Sequence, residues 1–380
     1  VTPGTGGATT MTFASFSRTA GASVLFRGTS MGSIAGTNVS TLLFTAAPAL
    51  IGAAGAEGTT TLCVLNGAFG VISLSGTGSD MVTVVSNKLR PLTSNEYAGD
   101  LQTANANVKL TADRAAVATN TNSLILNGFG ITNPGGAITI PISSASLAGN
   151  ILINSATNIA GANTTLGITT TELNILATAN STISAIIGTA TTGSLTLSGT
   201  GNVTLSAANP YTSTTFINNA TLTAGVNNAL SSGGVTMRSG LYNLNGNSDT
   251  VGAISLTGST ISTGAGTLTG NGSFTTATNA NFSSIITGNL GLGANATFTI
   301  GDGLMDNDAV ISAVISGGFT FAKAGNGVLE LSGSNTFSGA TTISAGILRL
   351  GATGGGTNTP LGTTAGGTTV SGATAALDLN

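Results

Sequence analysis

The chain has 380 residues with 57 Gly, no Trp and no His; 6% of residues are charged and the net charge is −3. So few Lys and Arg exclude a nucleic-acid face, and 41% hydrophobic content in short alternating runs excludes intrinsic disorder. The lone Cys63 excludes an internal disulfide framework and fits no metal-ligand spacing.

Residues 1–121 hold more than half of the charged side chains, from Arg18 and Arg27 to Asp113 and Arg114. The chain opens at Val1 with no initiator Met and no signal-type apolar core, which marks it as processed or as a fragment. Strand-like pieces occur at Ser23–Phe26, Leu42–Phe44, Thr61–Leu65, Val82–Val85 and Val108–Thr111. Cys63 alternates with apolar neighbours in the third of these, which reads as a buried small apolar residue. The run Leu42–Ala56 is interrupted by Thr45 and Pro48 and is too short to cross a bilayer. With 3 Tyr and no Trp, the aromatic girdles of a membrane barrel are missing as well, so no membrane insertion is expected. Alternation weakens over Ser94–Ala104, where a helical turn or an excursion is expected. This first module should form broader, less regular coils on the same axis as the rest.

Residues 122–380 read as a regular repeat. One template returns as Asn122–Gly128, Gly193–Gly199, Gly252–Gly258 and Gly327–Gly333, with an earlier copy at Gly70–Gly76. Each has apolar residues at alternate positions between Gly or Asn, the period of a half-buried strand. Pro141 demotes its own strand, Ala137–Ile142, to a corner or bulge. The clearest units are 193–246 and 327–380, two versions of a segment of roughly 53 residues, or two to three coils. Within the second, Gly325–Gly351 reads GNGVLELSGSNTFSGATTISAGILRLG, with Leu329 and Leu331 answered by Leu348 and Leu350. That stretch resembles the autotransporter-associated β-strand repeat of large bacterial surface proteins. The segments Arg18–Phe26 and Val108–Thr111 resemble the spacer modules that interrupt such repeats. The expected fold is all-β, a right-handed parallel β-helix (β-solenoid) built from coils of about 20 residues. One coil alone cannot offset the entropy of ordering its backbone, so the coils must stack and share a core.

Few residues carry candidate chemistry. Gly28-Thr-Ser30-Met-Gly32 matches a nucleophile elbow, but no His exists to activate Ser30. The turns Gly264–Gly266 and Gly354–Gly356 lack the Lys of a phosphate loop. Asp302, Asp306 and Asp308, with Asn307, supply oxygen ligands of the kind Ca²⁺ takes, at a spacing unlike an EF-hand, and no other cofactor is expected. No general base stands with these carboxylates, so an enzyme is not expected. The resemblance implies a secreted segment at a bacterial cell surface. Two readings follow: a non-catalytic structural stalk or self-assembling fibre, and an adhesin or passenger module whose partner is a glycan or surface ligand. The uncharged stretch Val1–Phe13 and the closing Ala373–Asn380, with Asp378 alone, read as open strand edges. These edges would pair head to tail between copies, or be covered by flanking segments of a longer chain.

Overall fold

A computed structural model of the chain describes residues 7–34, 36–133, 135–142, 149–161, 163–167, 171–188, 193–278, 281–352 and 358–380. Residues 1–6 of the expected N-terminal edge and the turn Gly354–Gly356 lie outside the described residues. Among the described residues the secondary structure is β throughout, apart from the 3-10 turn Ser94–Glu96 that the weak alternation had marked. Parallel sheets stack as a β-solenoid of about 9 turns with coils of roughly 22 residues. The chain divides into two compact units, 1–203 with 210–212, and 204–209 with 213–380.

In unit one, residues 9–98 form a mixed sheet in which Thr9–Phe13 pairs parallel with Ser40–Phe44 and Val24–Arg27 parallel with Ala68–Val71. A sheet runs in the order Thr9–Phe13, Ser40–Phe44, Lys88–Pro91, Asp80–Val85, Ala68–Val71, Val24–Arg27. Asp80–Val85 and Lys88–Pro91 pair antiparallel. Ser86 and Asn87 join them at φ 49° and 62°, the left-handed pair that a two-residue hairpin requires. That hairpin returns the chain on itself between the two parallel pairs, so this module is less regular than the stacked strands that follow. The template copy at Gly70–Gly76 also fails: Ile72 and Leu74 lie outside any strand and are exposed.

The long parallel ladder begins at Ala106–Lys109, within the stretch read as the charged module. It continues through Thr121–Asn127, Gly149–Ser155, Glu172–Ala177 and Ser194–Ser198. Val108, Leu124, Ile151, Ile175 and Leu197 stack in register and are fully buried. Pro141 closes its strand, Ile138–Pro141, opposite Gly167.

Unit two has two parallel ladders. One stacks Val235, Ile254, Phe274 and Phe298; the other stacks Leu222, Tyr242, Ile261, Ile286, Ile311 and Leu331. All of these side chains are buried, which is why each strand needs an apolar residue at every second position. Corners demand glycine where coils touch. Gly346 has φ 66°, and a Cβ there would lie 2.4 Å from the Gly325 carbonyl oxygen of the preceding coil. Two template copies, Ile254–Thr257 and Val328–Leu331, fall in different ladders of this unit. Within this unit the short motif therefore marks a strand and not a position on the coil.

Candidate functional site

The acidic turn separates its carboxylates. Asp308 is buried; its Oδ1 accepts from the Gly303 N–H at 2.7 Å and its Oδ2 from the Val328 N–H at 2.8 Å. Asp302 and Asp306 are exposed. Asn307 donates to Glu330 at 2.7 Å and accepts from Arg349 at 2.8 Å, and Arg349 reaches Asp378 at 2.9 Å. Among the described residues no three His, Cys, Asp or Glu side chains converge as metal ligands. Asp308 Oδ1 is taken up within its own turn and Oδ2 by the next coil, which leaves Asp302 and Asp306 as the exposed carboxylates of the calcium expectation.

Ionisable groups also enter the core. Lys323 takes the ladder position next to Phe298 and is fully buried. Its ammonium donates to the carbonyls of Ala324, Gly325 and Ala345 at 3.0, 2.8 and 3.0 Å. Burial lowers its pKa to about 8, against the opposing charge of Asp308. Beside it the rings of Phe274, Phe298, Phe321 and Phe337 stack with centroids 4.3, 4.5 and 5.6 Å apart. Asp249 is buried against the Tyr242 hydroxyl, 2.5 Å away, and the Leu230 N–H at 2.9 Å. Burial raises its pKa in spite of these donors.

Unit one holds the densest polar constellation. Asn107, Ser123, Asn150, Asn174 and Thr196 share one register row on the outward face of the coil strands, yet all are fully buried. Segment 62–67 of the first module lies across them. Asn107 donates to the Leu62 carbonyl at 2.8 Å. Asn150 accepts from the Gly67 N–H and donates to the Leu65 carbonyl, both at 2.9 Å. The Asn174 amide lies 2.9 Å from the Asn66 side chain. At the end of the row the buried Glu172 accepts from Arg18 at 2.6 Å, from the Gly21 N–H at 2.8 Å and from Thr196. Arg18 also donates to the carbonyls of Asn66 and Ala22 at 2.9 and 3.0 Å. The neighbouring outward row, Ile125, Leu152 and Leu176, packs with Ile51, Val64, Phe69, Met81 and Leu92.

A cleft of about 420 Å³ opens nearby, lined by Asp80, Ser94, Tyr97, Lys109 and Thr111 among others. Lys109 and Asp80 pair across it at 2.9 Å, and the ammonium sits 5.5 Å above the Tyr97 ring. At the 3-10 turn, Glu96 is buried and receives Arg90 at 2.6 Å together with the N–H groups of Thr93 and Gly58. Burial pushes its pKa up, but these donors outweigh it and hold the value at about 2.

Cys63 is half-buried, not enclosed, and its sulfur accepts from the Ala54 N–H at 3.2 Å. Ser30 lies in a turn at φ 48° with no helix following it among the described residues. The outward asparagine row and the Arg18–Glu172 pair were not foreseen from the sequence.

The passenger-associated-transport-repeat family matches residues 192–224 and 321–350. No curated protein and no solved structure matches the chain. The second match holds four strands, Phe321–Ala324, Val328–Leu331, Thr341–Ile343 and Gly346–Leu350, and covers all but the last residue of the stretch that carried the resemblance. With two copies of that repeat and its parallel strands wound as a β-solenoid, the chain fits an autotransporter passenger-type repeat protein.

Proposed function

We propose that this segment is a non-catalytic structural part of a secreted bacterial surface protein, a β-solenoid stalk whose product is its own stacked backbone. The observation that carries the reading is where the polar and aromatic side chains go. Asp308, Asn307, Arg349, Lys323 and the Phe274–Phe337 stack all bind one coil to the next. The passenger-type repeat supports export to the cell surface. Among the described residues no helix is long and apolar enough to cross a membrane.

A second reading, a module binding a glycan or surface ligand, draws on the cleft between Asp80, Tyr97, Lys109 and Thr111. Display on a bacterial cell separates the two. The structural reading expects immunolabelling outside the cell, with retention on glycan-coated surfaces equal to that of cells lacking the segment. Retention that Lys109→Ala abolishes would replace it with the binding reading.

A further inference from the structure

A sheet that curls without closing leaves two edges, and the gap between them suits an added strand if main-chain groups and apolar side chains both face it. The first module has such a sheet, with Thr9–Phe13 and Val24–Arg27 as its outermost strands. A groove of about 510 Å³ opens between these two, lined by Met11, Phe13, Leu25, Phe26, Arg27 and Leu42. Phe16 joins the two sides of the curl, its ring centroid 5.7 Å from Phe26 and 6.4 Å from Phe44. Met11 and Phe13 are the register partners of the buried Leu42 and Phe44, yet each is 41% exposed. On the opposite wall three consecutive residues line the groove, so it meets the edge of Val24–Arg27 and not one of its faces. The Val24 N–H donates to the Gly67 carbonyl at 3.0 Å and the Gly28 N–H to the Val71 carbonyl at 3.4 Å. Bonding residues alternate along a parallel strand, so Leu25 turns its own N–H and carbonyl away from that ladder, towards the groove.

We propose that this groove binds an extended segment of another protein, one with apolar residues at alternate positions and a carboxylate set between them. The segment adds as a strand beside Val24–Arg27 and bonds the main chain of Leu25. Its apolar side lies over Met11, Phe13 and Leu42, and its carboxylate meets Arg27. Three observations choose this occupant. A lipid or a sugar has no regular backbone with which to answer a strand edge, whereas a peptide does. Arg27 is exposed and is the one charged residue of the lining, so the groove complements an anionic group. The long strands of this chain, such as Thr121–Asn127 and Gly149–Ser155, are already paired on both sides in their ladder and are not on offer from a second copy. The proposal goes beyond the structural reading above, because it gives the stalk a place at which to hold a partner.

A synthetic peptide tests it on the unaltered chain. The probe is a heptapeptide of alternating Val and Thr with a central Glu in place of one Thr and a terminal Trp. Because the chain has no Trp, the indole emission reports the peptide alone. Titration with the chain is expected to shift that emission to the blue and to saturate. Methylating the amides on one edge of the peptide should weaken binding at least about tenfold, the loss expected when a main-chain hydrogen bond goes. Lys in place of the Glu should weaken binding to the unaltered chain and restore it to Arg27→Glu. A photoreactive group in place of a Val should crosslink to residues 9–13, 24–27 or 40–44. No binding, binding that methylation leaves unchanged, equal binding of the Glu and Lys peptides, or crosslinks confined to other strands overturns the proposal. So does self-association of the chain that the peptide blocks in sedimentation, since a second copy is then the occupant.

Discussion

Single residues show where the fold tolerates charge. Lys323 sits among phenylalanines because its three donors meet three carbonyls at a coil corner. Its folded pKa of about 8 lies below the ordinary value of 10.5, so the unfolded chain holds the proton more tightly between those values. Stability should therefore rise as pH increases from about 8 towards 10.5. Urea midpoints at pH 7 and pH 10 check this: the gain should be present in the parent and absent in Lys323→Met. Glu96 behaves in the opposite sense. Its pKa of about 2 lies below the ordinary 4.5, so its contribution is complete above 4.5 and is lost as pH falls towards 2. Glu96→Gln should flatten the acid limb of unfolding followed by tyrosine fluorescence. At Gly346 the constraint is steric. Gly346→Ala should cost more than about 1 kcal/mol by chemical denaturation, since φ 66° and the Gly325 carbonyl both oppose a Cβ.

At the scale of strands, the ring stack is the clearest coil-to-coil device. Phe298 lies between Phe274 and Phe321 with no exposure to speak of, so Phe298→Ala should lose roughly 3–5 kcal/mol in urea unfolding. Period-two alternation made such strands legible in the sequence, because one face of each is buried whatever its neighbours do. Coil phase was not legible. A shift of two residues leaves the same side chains facing inward, so the template cannot say which ladder a strand joins. The covered outer face had a signal that alternation obscured. Leu124-Ile-Leu126 and Ile151-Leu-Ile153 are unbroken apolar runs, the mark of a strand buried on both faces, whereas Ile254-Ser-Leu256 alternates. Arg18 and Glu172, 154 residues apart, left no such trace, because nothing local records a contact made only when the module docks. The acidic turn was visible as composition. Its division into exposed Asp302 and Asp306 and buried Asp308 depended on the next coil supplying the Val328 N–H.

At the scale of the whole molecule, the chain winds so that residues distant in sequence stack a strand spacing apart. In unit two the outward residues Thr236, Ser255, Thr275 and Thr299 are successive register partners. Three steps of about 4.8 Å put the backbones of Thr236 and Thr299 about 14 Å apart, although 63 residues separate them (299 − 236). Spin labels at Thr236→Cys and Thr299→Cys, in a Cys63→Ser background, measure that separation by electron paramagnetic resonance. The solenoid predicts a narrow distribution centred within label reach of about 14 Å. A broad distribution, or one centred beyond roughly twice that distance, would contradict the winding on which every other conclusion rests.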